Sequence, residues 1–110
     1  MTDFNSPIVR TIRNIGVALS RLGFARIFNV WAWSNGTTNI FIGYNPDSPT
    51  RVTVKMENEP ANLEDVVLVE FSEHDAEHNA QRTTELLGLV KFYMQNPIQQ
   101  TAKEELAVTE

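Results

Sequence analysis

Cysteine is absent from this chain of 110 residues, so disulfide frameworks and thiolate zinc sites are excluded. Long hydrophobic runs are absent too: Arg10, Arg13 and Arg21 interrupt the first apolar stretch, and no window approaches the ~20 apolar residues of a membrane span. The first ten residues, MTDFNSPIVR, lack a basic start followed by an apolar run, so we expect no secretory signal. These absences predict a cytoplasmic protein that does not enter a membrane.

Signatures of enzymatic chemistry are also missing. The five glycines are scattered along the chain and form no phosphate-binding loop. The serines are each explained by a helix cap, a turn or a helix surface, and no pair of carboxylates suggests acid–base catalysis. We therefore expect a protein that is not an enzyme and needs no cofactor.

Charge is distributed unevenly over the net charge of −5. Residues 1–55 contain six basic and two acidic residues, whereas residues 56–110 contain three basic and twelve acidic residues. Such a split is typical of a charged partner site, or of two halves of one domain that attract each other. We favour the second interpretation.

The first helix is marked by its cap, its periodicity and its end. Ser6 and Pro7 suit the N-cap and the first helical position, and Gly23 suits a helix end. Between them an apolar stripe recurs at steps of three and four residues, typical of one buried face. The stripe consists of Ile8, Ile12, Ile15, Leu19 and Leu22.

Four strands are predicted after this helix. The segments RIFNVWAW and NIFIGYN flank SNGTT and predict a hairpin with a five-residue loop, and NPDSP predicts a turn. In RVTVKME, Val52, Val54 and Met56 alternate with polar residues, which predicts a half-buried strand. VVLVEF, residues 66–71, is apolar enough for the middle of a sheet.

A second helix is predicted to begin at Ser72 and to stop at Pro97. Its predicted buried face consists of Ala76, Ala80, Thr83, Leu87, Val90 and Met94. The order α-β-β-β-β-α predicts one α+β domain over residues 1–96, a two-layer sandwich with a four-stranded antiparallel sheet and both helices on one face. We expect residues 97–110 to be an acidic C-terminal tail, mobile or a short docked helix. The order resembles that of small secretion-chaperone-like adaptors.

His74, Glu77 and His78 spell H-x-x-E-H, the pattern of the inverted zinc peptidases. On a continuous helix the two histidines would lie on the face opposite the buried one. A catalytic zinc site also needs a third ligand and a closed cavity, which this surface does not offer. We therefore predict no metal site, with His74 and His78 as weak candidates for adventitious zinc.

The aromatic hairpin carries the main functional prediction. Both of its faces have large apolar side chains, and two helices can cover only one face. We expect a partner or homodimer surface formed by Trp31, Trp33 and Tyr44, with Phe28 and Val30 as the substitute set if the sheet faces the other way. A competing interpretation buries both tryptophans and covers Phe28 and Val30 with the tail.

Arg10, Arg13 and Arg21 form a predicted basic face on the first helix. Arginines near aromatic residues can bind single-stranded nucleic acid, but the acidic balance of the whole chain opposes the approach of a polyanion. The sequence thus favours a cytoplasmic protein-interaction module, an adaptor, chaperone or inhibitor that acts as a homodimer on a protein partner of unknown identity. A single-stranded nucleic-acid-binding protein is the alternative.

Overall fold

The computed structural model describes residues 6–98, which form an α+β domain of the order α-β-β-β-β-β-α. All neighbouring strands pair antiparallel, and their order in the sheet is their order in the chain. The elements are α1 (Pro7–Arg21), β1 (Ala25–Ile27), β2 (Val30–Ser34), β3 (Thr38–Asn45), β4 (Ser48–Asn58), β5 (Leu63–Glu70) and α2 (Ala76–Gln95).

Helix α1 confirms its prediction. The Ser6 hydroxyl accepts a hydrogen bond from the Val9 amide at 3.3 Å, so the side chain satisfies one of the free donors of the first turn. Gly23 follows the helix with a φ of 99°, a conformation that glycine adopts without steric cost. Ile8, Ile12, Ile15 and Leu19 are buried as the periodicity requires.

The sheet has five strands because the first predicted strand is divided. Phe28 has a φ of 56° and forms a two-residue turn with Asn29, so β1 folds back onto β2. Ile27 therefore lies opposite Val30 and shares its face. An uninterrupted strand over RIFNVWAW would instead have placed Ile27 on the face of Trp31.

The hairpin between β2 and β3 is confirmed, but its loop has three residues, at positions 35–37, and not the predicted five, because Ser34 and Thr38 belong to the strands. The Asn35 carboxamide oxygen accepts hydrogen bonds from the amides of Thr37 and Thr38, at 2.9 and 2.8 Å. The turn between β3 and β4 is also confirmed, since Asn45 accepts a hydrogen bond from the Asp47 amide.

Both helices pack on one face of the sheet, as predicted. Alternate residues of β2, β3 and β4 point into this layer, and their side chains form a core with the apolar stripe of α1. The sheet residues buried there are Trp31, Ile40, Ile42, Val52, Val54 and Met56. The half-buried strand predicted over residues 51–57 is thereby confirmed within β4.

Strand β5 lies at an edge of the sheet, not in its middle as its apolar sequence indicated. Val67 and Val69 face the helices, whereas Val66 and Leu68 point to the other side and are more than half exposed. Strand β5 therefore has the apolar composition of a strand that is buried on both faces, but the described residues cover only one of its faces.

Helix α2 begins four residues later than predicted. Asp75, not Ser72, is the N-cap, and its carboxylate accepts a hydrogen bond from the His78 amide at 3.0 Å. Asn79, 1% exposed, accepts a bond from the Ser72 amide at 2.7 Å and donates one to the Ser72 carbonyl at 2.8 Å. These two bonds hold the preceding segment in a non-helical conformation.

The buried face of α2 agrees with the prediction only in part. Val90 is buried and Leu87 packs against the core, as predicted, whereas Ala76 and Ala80 are exposed. Asn79 and Leu86 are buried in addition. The prediction relied on apolar residues alone, and it therefore missed that the polar residue Asn79 lies on the buried face.

The helix ends at Gln95, before Pro97, as expected. Beyond it the Ile98 carbonyl accepts a hydrogen bond from the Asn58 side chain at 2.7 Å. The rest of the predicted tail, residues 99–110, lies outside the described residues. Over positions 6–98 no helix has the length and apolar character needed to cross a membrane.

Candidate interaction surfaces

Trp31 belongs to the core. It is 2% exposed, and a Cβ at Gly16 of α1 would lie 3.1 Å from its Cζ2 atom, so a larger residue there would require the indole to shift by a few tenths of an ångström. Its ring also stacks on Tyr44, with centroids 5.5 Å apart. Trp31 is therefore not the exposed partner anchor that the sequence suggested.

Trp33 and Tyr44 lie on the same inner face and are half-buried. Trp33 stacks on Phe24 with centroids 6.2 Å apart, and both Trp33 and Tyr44 pack against the core. Of the substitute set, Val30 points to the open side of the sheet, and Phe28 lies exposed in the turn before β2. Of the two sets predicted from the sequence, the fold leaves the second one available.

The side of the sheet away from the helices carries apolar residues on β1, β2, β3 and β5, separated on β4 by Thr53 and Lys55, and we call it the outer sheet face. One row of it runs across the strands through Ile27, Val30, Gly43, Thr53 and Leu68. A second row runs through Ala25, Ala32, Phe41, Lys55 and Val66. Ile27, Val66 and Leu68 are more than half exposed, so the face is uncovered by any residue that the structure describes.

Phe28 marks one end of this face and is the most exposed large apolar residue of the described chain, at 89%. Its positive φ is unfavourable for a bulky side chain, and such strain persists only where the surroundings enforce it. Here the Nε of Arg26 donates to the Phe28 carbonyl at 2.8 Å. A strained turn thus holds an aromatic ring in solvent.

The charges of the outer sheet face neutralise each other. The Nζ of Lys55 lies 3.1 Å from Glu57 and 3.4 Å from Glu64, and Arg51 lies 3.8 Å from Glu70. The hydrogen bond to Glu57, assisted by the charge of Glu64, raises the pKa of Lys55, and the hydrogen bond from Lys55 lowers the pKa of Glu57. Both partners therefore stay charged at neutral pH, and the face exposes little unmatched charge.

A second surface lies between α1 and the β1–β2 end of the sheet, and we call it the arginine groove. It has a volume of about 840 Å³ and is bordered by Arg13, Arg21 and Arg26. Its other lining residues are Val9, Ile12, Gly16, Val17, Ser20, Phe24, Trp31 and Tyr44. Among residues 6–98 no carboxylate lines the groove, so this part of the chain does not neutralise its positive charge there.

Arg26 is the residue of this groove that sequence reasoning missed. Its Nη2 donates to the Tyr44 hydroxyl at 3.0 Å, and its guanidinium carbon lies 5.3 Å from the centroid of the Trp31 ring. The turn beneath it is tied to β3, since the Asn29 side chain donates to the Tyr44 carbonyl. Only the division into β1 and β2 places Arg26 opposite Trp31, so no sequence signal indicated it.

The predicted basic face is divided by the packing. Arg13 and Arg21 border the arginine groove, whereas Arg10 lies beside the hollow between α1 and α2. Within residues 6–98 these three arginines make no ion pair. The two halves of the chain are joined electrostatically by strand residues instead, through Arg51–Glu70 and Lys55–Glu64.

The H-x-x-E-H pattern does not lie on one helical turn. Helix α2 begins at Ala76, so His74 precedes it and loses the helical spacing to His78. The His78 Nε2 lies 3.3 Å from the Glu70 carbonyl, and His74 lies 3.7 Å from Glu73. In the described part of the chain no group of three or more His, Asp or Glu side chains is arranged to hold a metal ion.

Comparison with known proteins gives no relative: no family model, no curated protein and no solved structure matches this chain.

Proposed function

We propose that this protein is a cytoplasmic, non-enzymatic protein-interaction module that acts as a homodimer through its outer sheet face. The observation that carries the proposal is the exposure of Val66 and Leu68 on β5, a strand with the composition of one buried on both faces. Exposed apolar residues grouped on one face in this way are typical of interaction sites. The absence of cysteine permits a reducing compartment.

A second copy of the chain is the occupant that the charges favour. Lys55 and Arg51 are paired within their own chain, so two outer sheet faces can meet without strong like-charge repulsion. Pairing of two β5 edges is less favourable, because β5 carries Glu64, Asp65 and Glu70 and no basic residue. Packing face to face, with sheets ~10 Å apart, is therefore the proposed arrangement.

The variant Leu68→Lys is expected to be monomeric. Lysine is tolerated on an exposed edge strand, but its charge is costly to desolvate within an apolar interface. Phe92→Lys is the matched control, because Phe92 is equally exposed on α2, on the other side of the sheet. Sedimentation equilibrium should show a dimer for the wild type and for the control.

Two results would contradict this prediction. A wild-type chain that stays monomeric at ~100 μM would exclude an interface of standard size. Dissociation by Phe92→Lys, with Leu68→Lys still dimeric, would place the interface on α2.

Replacing Phe28 with glycine is expected to stabilise the monomer and to weaken the dimer. Glycine adopts the positive φ of this turn without the steric cost of a side chain, which for other residues is about 1–2 kcal/mol. The loss of the exposed ring removes an aromatic anchor from the interface. Urea unfolding at low protein concentration measures the first effect, and sedimentation at high concentration measures the second.

A gain in the stability of the monomer together with a loss of dimer affinity would identify Phe28 as an interface residue and not a structural one. If Phe28→Gly lowers the stability of the monomer, the ring contributes to the fold of its own chain. If the dimer is unaffected, the turn lies outside the interface.

A further inference from the structure

We propose that the arginine groove binds a short acidic segment of a protein partner, in which carboxylates flank an apolar side chain. This site is distinct from the outer sheet face, because the groove lies on the helix side of the sheet. A homodimer would thus carry two such grooves, one on each chain.

The arginine groove carries positive charge that the described residues do not match. Arg13, Arg21 and Arg26 border the groove, and the part of the chain that the structure describes places no carboxylate in an ion pair with them. Arginine presents a planar fork of donors that matches a carboxylate with two parallel hydrogen bonds. Three such groups around one groove favour a ligand with more than one carboxylate.

The guanidinium of Arg26 is preorganised for binding. Arg26 is held by the Phe28 carbonyl, the Tyr44 hydroxyl and the face of Trp31, at the three distances given above. Its Nη1 makes no protein hydrogen bond within positions 6–98. A guanidinium that is already ordered loses less conformational entropy when it binds a carboxylate.

The side chains that line the groove favour a peptide over nucleic acid. Single-stranded nucleic acid is held by stacking of bases on exposed aromatic rings. Trp31 is 2% exposed and is covered by Arg26, Tyr44 and Gly16, so it offers no free face. The floor of the groove is instead apolar, with Val9, Ile12, Val17 and Phe24 among its lining residues, and suits an aliphatic side chain.

The test uses the full chain and a labelled acidic peptide in which glutamates flank a leucine, with binding measured by fluorescence anisotropy at low and at physiological ionic strength. The double variant Arg13→Gln, Arg21→Gln should weaken binding by about tenfold or more, because the loss of even one charge-assisted bond is a change of about this size. The matched control is Arg10→Gln, Lys91→Gln, which removes two exposed charges that make no ion pair in residues 6–98. The control should change affinity by less than about twofold.

Further arms fix the geometry and the ligand class. Arg26→Lys keeps the charge but loses the planar fork of donors, so it should also weaken peptide binding. Leu68→Lys should bind the peptide as the wild type does, so the groove proposal stands even if the dimer proposal fails. Equal losses in the test and control pairs would overturn the groove, since they indicate only the general field of the chain. Tighter binding of a labelled oligothymidylate, lost in Arg13→Gln, Arg21→Gln, would overturn the peptide in favour of nucleic acid.

Discussion

Replacing Trp31 with alanine is expected to lower the free energy of unfolding by about 3–5 kcal/mol. The indole is 2% exposed and lies under Gly16, so its removal leaves a cavity between α1 and the sheet. A domain of this size has a total stability of roughly 5–15 kcal/mol, so the variant should be close to unfolding at room temperature. Urea unfolding monitored by circular dichroism measures the change.

Trp33→Ala is the matched control for this substitution. Trp33 is half-buried and stacks on one aromatic neighbour, so its removal leaves an opening to solvent and should cost clearly less. If Trp31→Ala instead leaves stability unchanged and dissociates the dimer, Trp31 is an interface residue and the sheet faces the other way.

Replacing Asn79 with alanine is expected to destabilise the protein by about 1–3 kcal/mol for each Ser72 backbone group left without a partner. Asn79 provides both partners, and at 1% exposure it leaves little room for water to replace it. Asn79→Leu should also destabilise, although it improves the apolar pattern of α2. Thermal unfolding of both variants tests this role.

Asn96→Ala is the control, since Asn96 makes a comparable bond to the Phe92 carbonyl at the exposed end of the same helix. Water can replace that bond, so a change below ~0.5 kcal/mol is expected. A stabilising effect of Asn79→Leu would show that the position is an ordinary core site.

The sequence predicted the elements whose signals are local. Helix α1 was found because Ser6, Pro7, the apolar stripe and Gly23 all agree, and each acts within one or two turns. The alternation of Val52, Val54 and Met56 gave the inward face of β4 for the same reason. In both cases burial follows directly from the periodicity of the backbone.

Features that depend on tertiary contacts were missed. The turn at Phe28 and Asn29 contains no glycine or proline, so five strands were read as four. Asn79 is buried because of one backbone partner seven residues away, which no periodicity indicates. The position of β5 at the edge follows from the meander order, whereas its composition indicated the middle.

The candidate surfaces were predicted in part. Two helices can cover only one face of the sheet, which predicted an exposed apolar surface with Phe28 and Val30 as one of its two alternative sets. Periodicity could not decide which face is inside. The arginines of α1 were found by their spacing, yet their grouping with Arg26 needs the register of β1 and β2. Composition thus indicated that interaction surfaces exist, and the fold decides where they lie.

Isotope-filtered NOE spectroscopy on a mixed sample of labelled and unlabelled chains tests the central claim most directly, because it detects contacts between two copies without any substitution. Face-to-face association predicts intermolecular NOEs from the methyl groups of Ile27, Val30, Val66 and Leu68, which lie on the outer sheet face of each chain. Contacts limited to β5 backbone protons would indicate pairing of sheet edges instead. The absence of any intermolecular NOE at a concentration of ~1 mM, where even a weak standard interface is populated, would contradict the proposal that this protein functions as a homodimer.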